Sequence, residues 1–218
     1  MSGQYALELA GAELWLLADK AIYYPAYRTL MIADAHFGKA AAYRKLGQPV
    51  PHGTTQSNLL RLDALLKAYA CDHLVFLGDF LHSPGARATA TLEALDEWRG
   101  RHRGLHVTLI RGNHDVNAGD PPGSLAFEVV SEPLLLGPFA LQHEPVPHPT
   151  RPVLAGHVHP VYRLHGFGRQ SLRLPCFYVT ERVSLLPAFG VFTGGMEITP
   201  EADSQIYIVG DGAIGRAR

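Results

Sequence analysis

The chain has 218 residues, of which 47% are hydrophobic and 18% are charged, and its formal net charge is −1 at pH 7. This length and composition are those of a globular protein with a sizeable core, and they exclude a disordered chain and a membrane-spanning one. The near-neutral charge excludes a global attraction to nucleic acid, so a polyanion would need a local basic patch or bound metal.

The amino-terminal segment MSGQYALELAGAELWLLADK lacks the basic start and continuous apolar run of a signal peptide. Cys71 and Cys176 are too few for a disulfide framework in a chain of this length. Both observations predict a cytoplasmic protein with no membrane contact. Because no repeat or clear linker divides residues 1–218, we expect a single domain. The twelve histidines favour metal sites with nitrogen and oxygen ligands over zinc–thiolate sites.

The first predicted elements are short strands. Three β-like runs, YALEL, ELWLLA and RTLMIA, come early in the chain, and the last of them ends at Asp34. The segment GKAAAYRKLGQPVPHG follows as a short basic helix or loop, because Gly and Pro close it. The chain therefore begins with β structure, and its first basic cluster comes directly after a strand.

Helices and strands then alternate. Leucines at helical spacing predict a helix from Thr54 to Tyr69, and a second helix is expected from Ala86 to Arg101. Between them the buried strand HLVFL ends at Gly78-Asp79, and after them the strand LHVTLI ends at Arg111-Gly112-Asn113. The helical signal then fades, and FEVV, PLLLG, FALQH, PVLAGH, CFYVT and QIYIVG are short apolar runs split by Gly and Pro. This succession predicts an α/β fold with two packed sheets.

Five of the predicted strands end in side chains that can bind a metal ion. These are Asp34 and His36, Asp79, Asn113 with His114 and Asp115, His143, and finally His157 and His159. Functional groups gather at the carboxyl ends of strands in open α/β sheets. His157 and His159, at positions i and i+2, point to the same side of an extended chain, although two solvated histidines in a turn are the alternative. Carboxylate, amide and imidazole groups together suit a paired divalent-metal site.

The order of these motifs resembles that of the calcineurin-like metallophosphoesterase superfamily, which is D-x-H, G-D, G-N-H-D/E, a lone H and G-H-x-H. The resemblance implies a four-layer α-β-β-α sandwich with two packed mixed β-sheets and a pair of divalent metal ions. It assigns to one metal Asp34, His36, Asp79 and His159. It assigns to the other Asp79, Asn113, His143 and His157, so that Asp79 is the shared ligand.

Two further histidines are candidates for direct action on a substrate. By resemblance, His114 protonates the leaving group or clamps the phosphate, and Asp115 orients its ring. A buried structural histidine is the alternative for His114. His82 follows Asp79 in the segment GDFLH and could face the substrate phosphate, with a solvated loop histidine as the alternative.

Two longer stretches narrow the resemblance. DAHFGKAAAYRKLGQPVPHG and LPCFYVTERVSLLPAFGVFTGG resemble the ligase-associated DNA damage response endonucleases of the PdeM type, although Ala35 and Phe37 stand where that family has leucine. This implies a manganese-dependent phosphodiesterase acting on DNA, expected to be single-stranded, in a bacterial repair setting. Zinc, iron and cobalt are the alternative metals. Other repair proteins, such as a ligase or helicase, and a second copy of the chain are further partners that the resemblance leaves open.

The basic segment offers candidate DNA contacts. Lys39, Arg44 and Lys45 could line a phosphate backbone, although such residues are also routine on a solvated helix. Two other functions stay open: a small-molecule phosphatase or nucleotide pyrophosphohydrolase, and a non-catalytic scaffold such as the retromer subunit that resembles these enzymes. The complete ligand set and His114 argue against a scaffold.

A glycine-rich motif near the end of the sequence invites a different interpretation. GDGAIG, from Gly210 to Gly215, matches the dinucleotide fingerprint G-x-G-x-x-G. That fingerprint needs a helix after its third glycine, and only three residues follow it here. We therefore expect no nucleotide-binding helix at this position.

Overall fold

The computed structural model describes residues 3–166, 168 and 170–218. Its first sheet contains seven strands in chain order. They are β1 (Gln4–Leu9), β2 (Ala12–Leu17), β3 (Ala21–Tyr24), β4 (Thr29–Ile32), β5 (His73–Leu77), β6 (His106–Ile110) and β7 (Glu128–Val130). β1 to β4 are antiparallel neighbours, whereas β4 to β7 are parallel. The carboxyl ends of β4, β5 and β6 therefore meet at one edge.

Four α-helices connect the parallel strands. They are α1 (Lys39–Lys45), α2 (Thr54–Ala68), α3 (Thr89–Arg101) and α4 (Asn113–Ala118). The range of α2 confirms the first predicted helix to within one residue. Among the described residues, no helix combines the length and apolar character that a membrane span requires.

The other helices refine the sequence prediction. α3 begins at Thr89 rather than at Ala86, because Pro84–Ala86 forms a 3₁₀ turn ahead of it. α4 lies where the helical signal fades, since Asn, His and Asp within it are weak helix formers and glycines flank it. Its first turn is held locally by the Asp115 carboxylate, which accepts a hydrogen bond from the Gly112 N–H at 3.0 Å. Asn113 therefore begins a helix, and the expected end of a strand at this residue is wrong.

The second sheet contains the remaining strands. They are β8 (Leu134–Leu136), β9 (Phe139–Gln142), β10 (Val153–Ala155), β11 (Pro160–His165), β12 (Ser171–Val179), β13 (Val183–Leu185), β14 (Met196–Glu197), β15 (Gln205–Gly210) and β16 (Ala213–Arg216). Parallel and antiparallel pairs are mixed in it, which confirms the predicted sandwich of two mixed sheets. β15 and β16 form an antiparallel hairpin in which Gly210 pairs with Ala213. The glycine-rich motif is thus a hairpin turn rather than a nucleotide site.

Alternating residues of the first sheet bury both of its faces. Leu30 and Ile32 of β4 pack with the apolar residues of α2 and α3, whereas Met31 and Ala33 pack with the second sheet. Phe139, on the inner face of the second sheet, is fully buried. Full burial of such a side chain stabilises the fold by about 1.5–3 kcal/mol. The strand ends of both sheets are therefore held in place by the core on either side.

Candidate metal centre

The predicted ligands converge where the carboxyl ends of strands from both sheets meet. Asp34 and His36 follow β4, Asp79 follows β5, Asn113 follows β6, His143 follows β9, and His157 and His159 follow β10. Asp34, His36, Asp79 and His143 are each at most 4% exposed. Asn113 and His157 are exposed at the rim. The site is thus a buried floor with an open side.

The first donor group surrounds Asp34. The Nε2 atom of His159 lies 3.3 Å from Asp34 Oδ1, and it also lies 3.3 Å from Nε2 of His36. The Nε2 atom of His36 also lies 3.7 Å from Asp79 Oδ2. Two imidazoles and two carboxylate oxygens therefore face one small volume.

The second donor group surrounds His143. Its Nε2 atom lies 2.9 Å from Asn113 Oδ1 and 3.1 Å from Nδ1 of His157. The Asn113 oxygen lies 3.1 Å from the same His157 nitrogen. Asp79 Oδ1 lies 3.4 Å from His143 Nε2. Asp79 therefore directs one carboxylate oxygen toward each donor group.

These distances fit bound divalent cations. Ligand atoms about 2.1 Å from one metal ion lie about 3.0–3.4 Å from one another. In the first group, His159 Nε2 lies 3.3 Å from both His36 Nε2 and Asp34 Oδ1. In the second group, the facing atoms of Asn113, His143 and His157 lie 2.9–3.1 Å apart. Oxygen and imidazole donors without thiolate also match the chemistry of manganese, zinc and iron sites.

Backbone groups fix the orientation of these side chains. Nδ1 of His143 lies 3.1 Å from the Leu77 carbonyl oxygen, so this nitrogen carries the proton and Nε2 is left to bind a metal. The His157 N–H donates to Asp34 Oδ2 at 3.0 Å, and the His114 N–H donates to Asp79 Oδ1 at 3.0 Å. The Leu77 carbonyl could not be predicted from the sequence, because every residue has a carbonyl and no side-chain motif marks this one.

The backbone of the site is strained. Five of the seven predicted ligands have positive φ angles of 45–69°, namely Asp34, His36, Asp79, His157 and His159. Such left-handed conformations are uncommon for residues with a Cβ, and they cluster at functional sites. Holding these residues in left-handed conformations costs free energy, and the surrounding structure supplies it while directing their side chains toward one point.

Two motif glycines are required by close approach to the ligands. A Cβ atom on Gly112 would overlap Asp79 Oδ1, and a Cβ atom on Gly78 would overlap the ring of His143. The glycines of G-D and G-N-H-D thus make room for the ligands of neighbouring strands. Close packing therefore explains why glycine precedes Asp79 and Asn113 in these two motifs.

His114 lies beside the donor groups, but its orientation differs from the expectation. Its Nδ1 atom lies 2.6 Å from the His82 carbonyl oxygen, and its Nε2 atom lies 3.9 Å from Asp79 Oδ2. Asp115 instead accepts hydrogen bonds from the backbone N–H groups of Leu81 and Gly112 at 3.1 and 3.0 Å. The expected role of Asp115 in orienting the His114 ring is therefore wrong. The His82 carbonyl orients the ring, and Asp115 supports the loop that holds both.

The His82 ring packs against both His114 and His36. It stacks on His114 with ring centroids 4.9 Å apart, and its Nδ1 atom lies 3.4 Å from Nδ1 of His36. Burial, with the nearby Lys39 and His114, lowers the pKa of His82 to about 4. The ring is consequently neutral at pH 7.

Burial also sets the charges on the floor. Desolvation, together with the His159 ring, lowers the pKa of His36, so this imidazole is neutral and able to bind a metal. Desolvation raises the pKa of Asp79, although His143 opposes the shift. A buried carboxylate of this kind is stabilised by a nearby cation.

The three residues predicted to contact DNA lie in different surroundings. Lys39 lines a small cleft with His36, and burial lowers its pKa while Asp79 and Asp34 oppose that shift. Arg44 donates a hydrogen bond to the Pro51 carbonyl oxygen at 2.9 Å and borders a cavity of about 340 Å³. Lys45 is exposed at the end of α1. Only Lys39 therefore reaches the metal-site cleft.

Comparison with known proteins gives a family and a similar nuclease. Residues 27–185 match the calcineurin-like phosphoesterase family. Nuclease MPE of Pseudomonas putida is 58% identical, with a TM-score of 0.85 over 94% of this chain and 96% of that one. A protein of unknown function from Aquifex aeolicus, AQ665, is 20% identical over 60% of this chain and 78% of its own, and its TM-score of 0.42 is too low to carry an argument. Comparison with curated proteins gives no match.

Proposed function

The chain belongs to the calcineurin-like phosphoesterase family, and from this premise we propose that it is a two-metal phosphodiesterase that cleaves single-stranded DNA. Its fold and donor clusters are those of a metal-dependent phosphoesterase. The observation that carries the proposal is the position of Asp79. Its Oδ2 atom lies 3.7 Å from Nε2 of His36 and its Oδ1 atom lies 3.4 Å from Nε2 of His143, so each oxygen would be available to one of two cations.

Each donor group would hold one metal ion. The first ion is assigned to Asp34, His36, Asp79 and His159, and the second to Asp79, Asn113, His143 and His157. Two divalent cations bound there supply Lewis-acid stabilisation of the phosphoryl group and activation of water. Manganese suits the oxygen and imidazole donors, and zinc, iron and cobalt are the alternatives.

His114 is the residue we assign to the leaving group. The His82 carbonyl can only accept, so the Nδ1–H of His114 donates to it. The Nε2 atom, 3.9 Å from Asp79 Oδ2, is then the atom that faces the substrate. A proton on Nε2 would pass to the departing oxygen as the P–O bond breaks, or would hold a phosphate oxygen in place. We assign His82 to the positioning of His114 and to the wall of the substrate cleft.

DNA is proposed as the substrate because a nuclease is 58% identical in sequence to this chain over 94% of its length. Lys39 beside the site, with Arg44 and Lys45 further along α1, would contact the phosphate backbone. The manganese requirement, single-strandedness, a repair setting, repair partners such as a ligase or helicase, a homo-oligomer, a single domain and a cytoplasmic location stay predictions.

One experiment separates this proposal from a small-molecule phosphatase or pyrophosphohydrolase. The protein is incubated with Mn²⁺ and circular single-stranded DNA, and in parallel with a nitrophenyl phosphodiester and a phosphomonoester. We expect nicking of the circle and hydrolysis of the diester. Hydrolysis of the monoester without any nicking would instead identify a phosphatase. The Asp79→Ala variant is the control for contaminating nuclease, since it should lose both activities.

A further inference from the structure

Two aromatic side chains from distant parts of the sequence meet beside the metal centre. Tyr43 lies on α1 and Phe192 lies in the segment after β13. Their ring centroids are 5.9 Å apart, with the ring planes at 89°. Both side chains are half-buried. The pair forms an apolar surface that neither segment could build alone.

This surface is continuous with the site. The Tyr43 ring centroid lies 5.7 Å from that of His82, whose Nδ1 atom lies 3.4 Å from Nδ1 of His36. Phe192 lines the same cleft as His36 and Lys39. One side chain, His82, therefore separates the Tyr43 ring from a predicted metal ligand.

The two rings are not part of the core. The apolar clusters on either side of the first sheet and on the second sheet do not include Tyr43 or Phe192 among the described residues. Neighbouring apolar side chains face solvent, with Val191 47% exposed and Leu46 77% exposed. The two rings therefore belong to the partly exposed surface beside the cleft rather than to the core.

The charge beside the rings indicates what binds. The Lys39 Nζ atom lies 6.0 Å from the Tyr43 ring centroid, so a cation and an aromatic face stand next to each other. Proteins that bind single-stranded nucleic acid combine these two elements, because cations follow the phosphates and aromatic rings stack on the bases. A base is joined to its phosphate through one sugar. A base flanking the cleaved phosphate would therefore reach a ring surface one side chain away from the metals.

We propose that Tyr43 and Phe192 stack a nucleobase that flanks the phosphate to be cleaved. The inference rests on the proposed DNA-cleaving function and adds a structural requirement for an unpaired base. In a duplex the bases are stacked inside the helix and cannot reach such a surface. The aromatic pair thus selects single strands by contact with the base, while the metals act on any accessible phosphodiester.

The test uses a single-stranded oligonucleotide that contains a run of abasic residues, compared with the same oligonucleotide carrying thymines in the run. Cleavage within the run is mapped on a sequencing gel in the presence of Mn²⁺. For the unaltered protein we expect about tenfold slower cleavage in the abasic run, the loss typical of one stacked base. Equal cleavage of the two runs would overturn the proposal.

Variants locate the effect. In the Tyr43→Leu/Phe192→Leu double variant, which keeps apolar volume but removes the rings, the difference between the two runs should disappear. Tyr43→Phe should retain the difference, and so should Tyr27→Ala, which removes a 48% exposed aromatic side chain elsewhere on the surface. A double variant that still discriminates as the unaltered protein does would show that the rings do not stack the base.

The small nitrophenyl diester keeps failure of this inference distinct from failure of the proposed function. Each DNA rate is divided by the diester rate of the same variant, so a loss of folded protein or of metal cancels. Hydrolysis of the diester with no cleavage of either oligonucleotide would overturn both the DNA substrate and the stacking site. Cleavage of both oligonucleotides at one rate would overturn the stacking site alone.

Discussion

Histidines and carboxylates lie at both ends of the parallel strands of the first sheet, but their contacts differ. We call the end where these strands begin the amino edge and the end where they finish the carboxyl edge. At the amino edge, His73 and His106 stack with ring centroids 4.4 Å apart. The His73 Nε2 atom has the Thr108 hydroxyl at 2.8 Å, and the His106 Nε2 atom has the Glu128 carboxylate at 3.0 Å. Each of these ring nitrogens has an oxygen partner, so the cluster is complete as it stands.

At the carboxyl edge, ring nitrogens face other ring nitrogens. The His36 and His159 Nε2 atoms lie 3.3 Å apart, and His157 Nδ1 lies 3.1 Å from His143 Nε2. Left-handed backbone conformations accompany this arrangement in Asp79 and in four other predicted ligands. A cation between the nitrogens would satisfy them all. Clustered histidines alone therefore do not indicate a metal site, whereas mutually facing donors on a strained backbone make the carboxyl edge the candidate metal centre.

The largest expected effect comes from removing the carboxylate proposed to bridge the two metal ions. Asp79→Ala should lose metal and activity together, because both donor groups depend on this side chain. We expect the loss of metal affinity to exceed the roughly 10–100-fold typical of an outer-shell partner. Asp72→Ala, at the amino edge, removes an exposed carboxylate paired with Arg28 and is the matched control. Metal content after dialysis, measured by plasma mass spectrometry, checks both; equal metal retention would contradict the bridging role.

Removal of the proposed acid should have the next largest effect. His114→Ala should keep the metals and slow DNA cleavage by about 10²–10⁴-fold, the contribution of a general acid. The loss should shrink on an activated nitrophenyl diester, whose leaving group needs no proton. His106→Ala at the amino edge is the control, since that ring is paired with Glu128. Rate constants on both substrates check this, and equal losses would assign phosphate clamping to His114 instead of proton transfer.

A smaller effect is expected for the basic residues along α1. Arg44→Ala/Lys45→Ala should lower the ratio of DNA cleavage to small-diester hydrolysis and flatten the salt dependence of DNA binding. Each lost phosphate contact reduces the logarithmic salt slope by about 0.7 for single strands. Arg103→Ala, an exposed cation ahead of β6, is the control. Affinity titrations at several salt concentrations check this. An unchanged slope would mean that DNA follows another surface, and a parallel loss on both substrates would make the segment structural.

The smallest effect concerns the amino edge and pH. Burial, helped by His106, lowers the pKa of His73 from 6.5 to about 4. The unfolded chain therefore binds more protons between these values, and stability should fall as pH drops from 6.5 toward 4. Solvent screening of this partly buried ring limits the effect to on the order of 1 kcal/mol. Urea unfolding at pH 7 and pH 5 should show a smaller fall for His73→Gln than for the unaltered protein; identical falls would refute the assignment.

Strand content and the motif residues could be predicted because both are local. Short apolar runs identified the strands that precede Asp34, Asp79 and His143, because burial of both faces of a central strand leaves a continuous apolar run. Leucine spacing likewise located α2. The helix α4 was not predicted, because its first turn depends on the Asp115 carboxylate rather than on helix propensity.

By itself, the sequence determined which residues carry metal-binding groups and in which order strands present them, since residue type and period are written in the chain. Tertiary structure alone decided the partners: the His82 carbonyl for His114, the backbone of Leu81 for Asp115, and Phe192 for Tyr43. The physical reason is that every residue offers a backbone N–H and carbonyl, so which of them meets a side chain depends on packing between distant segments rather than on residue type.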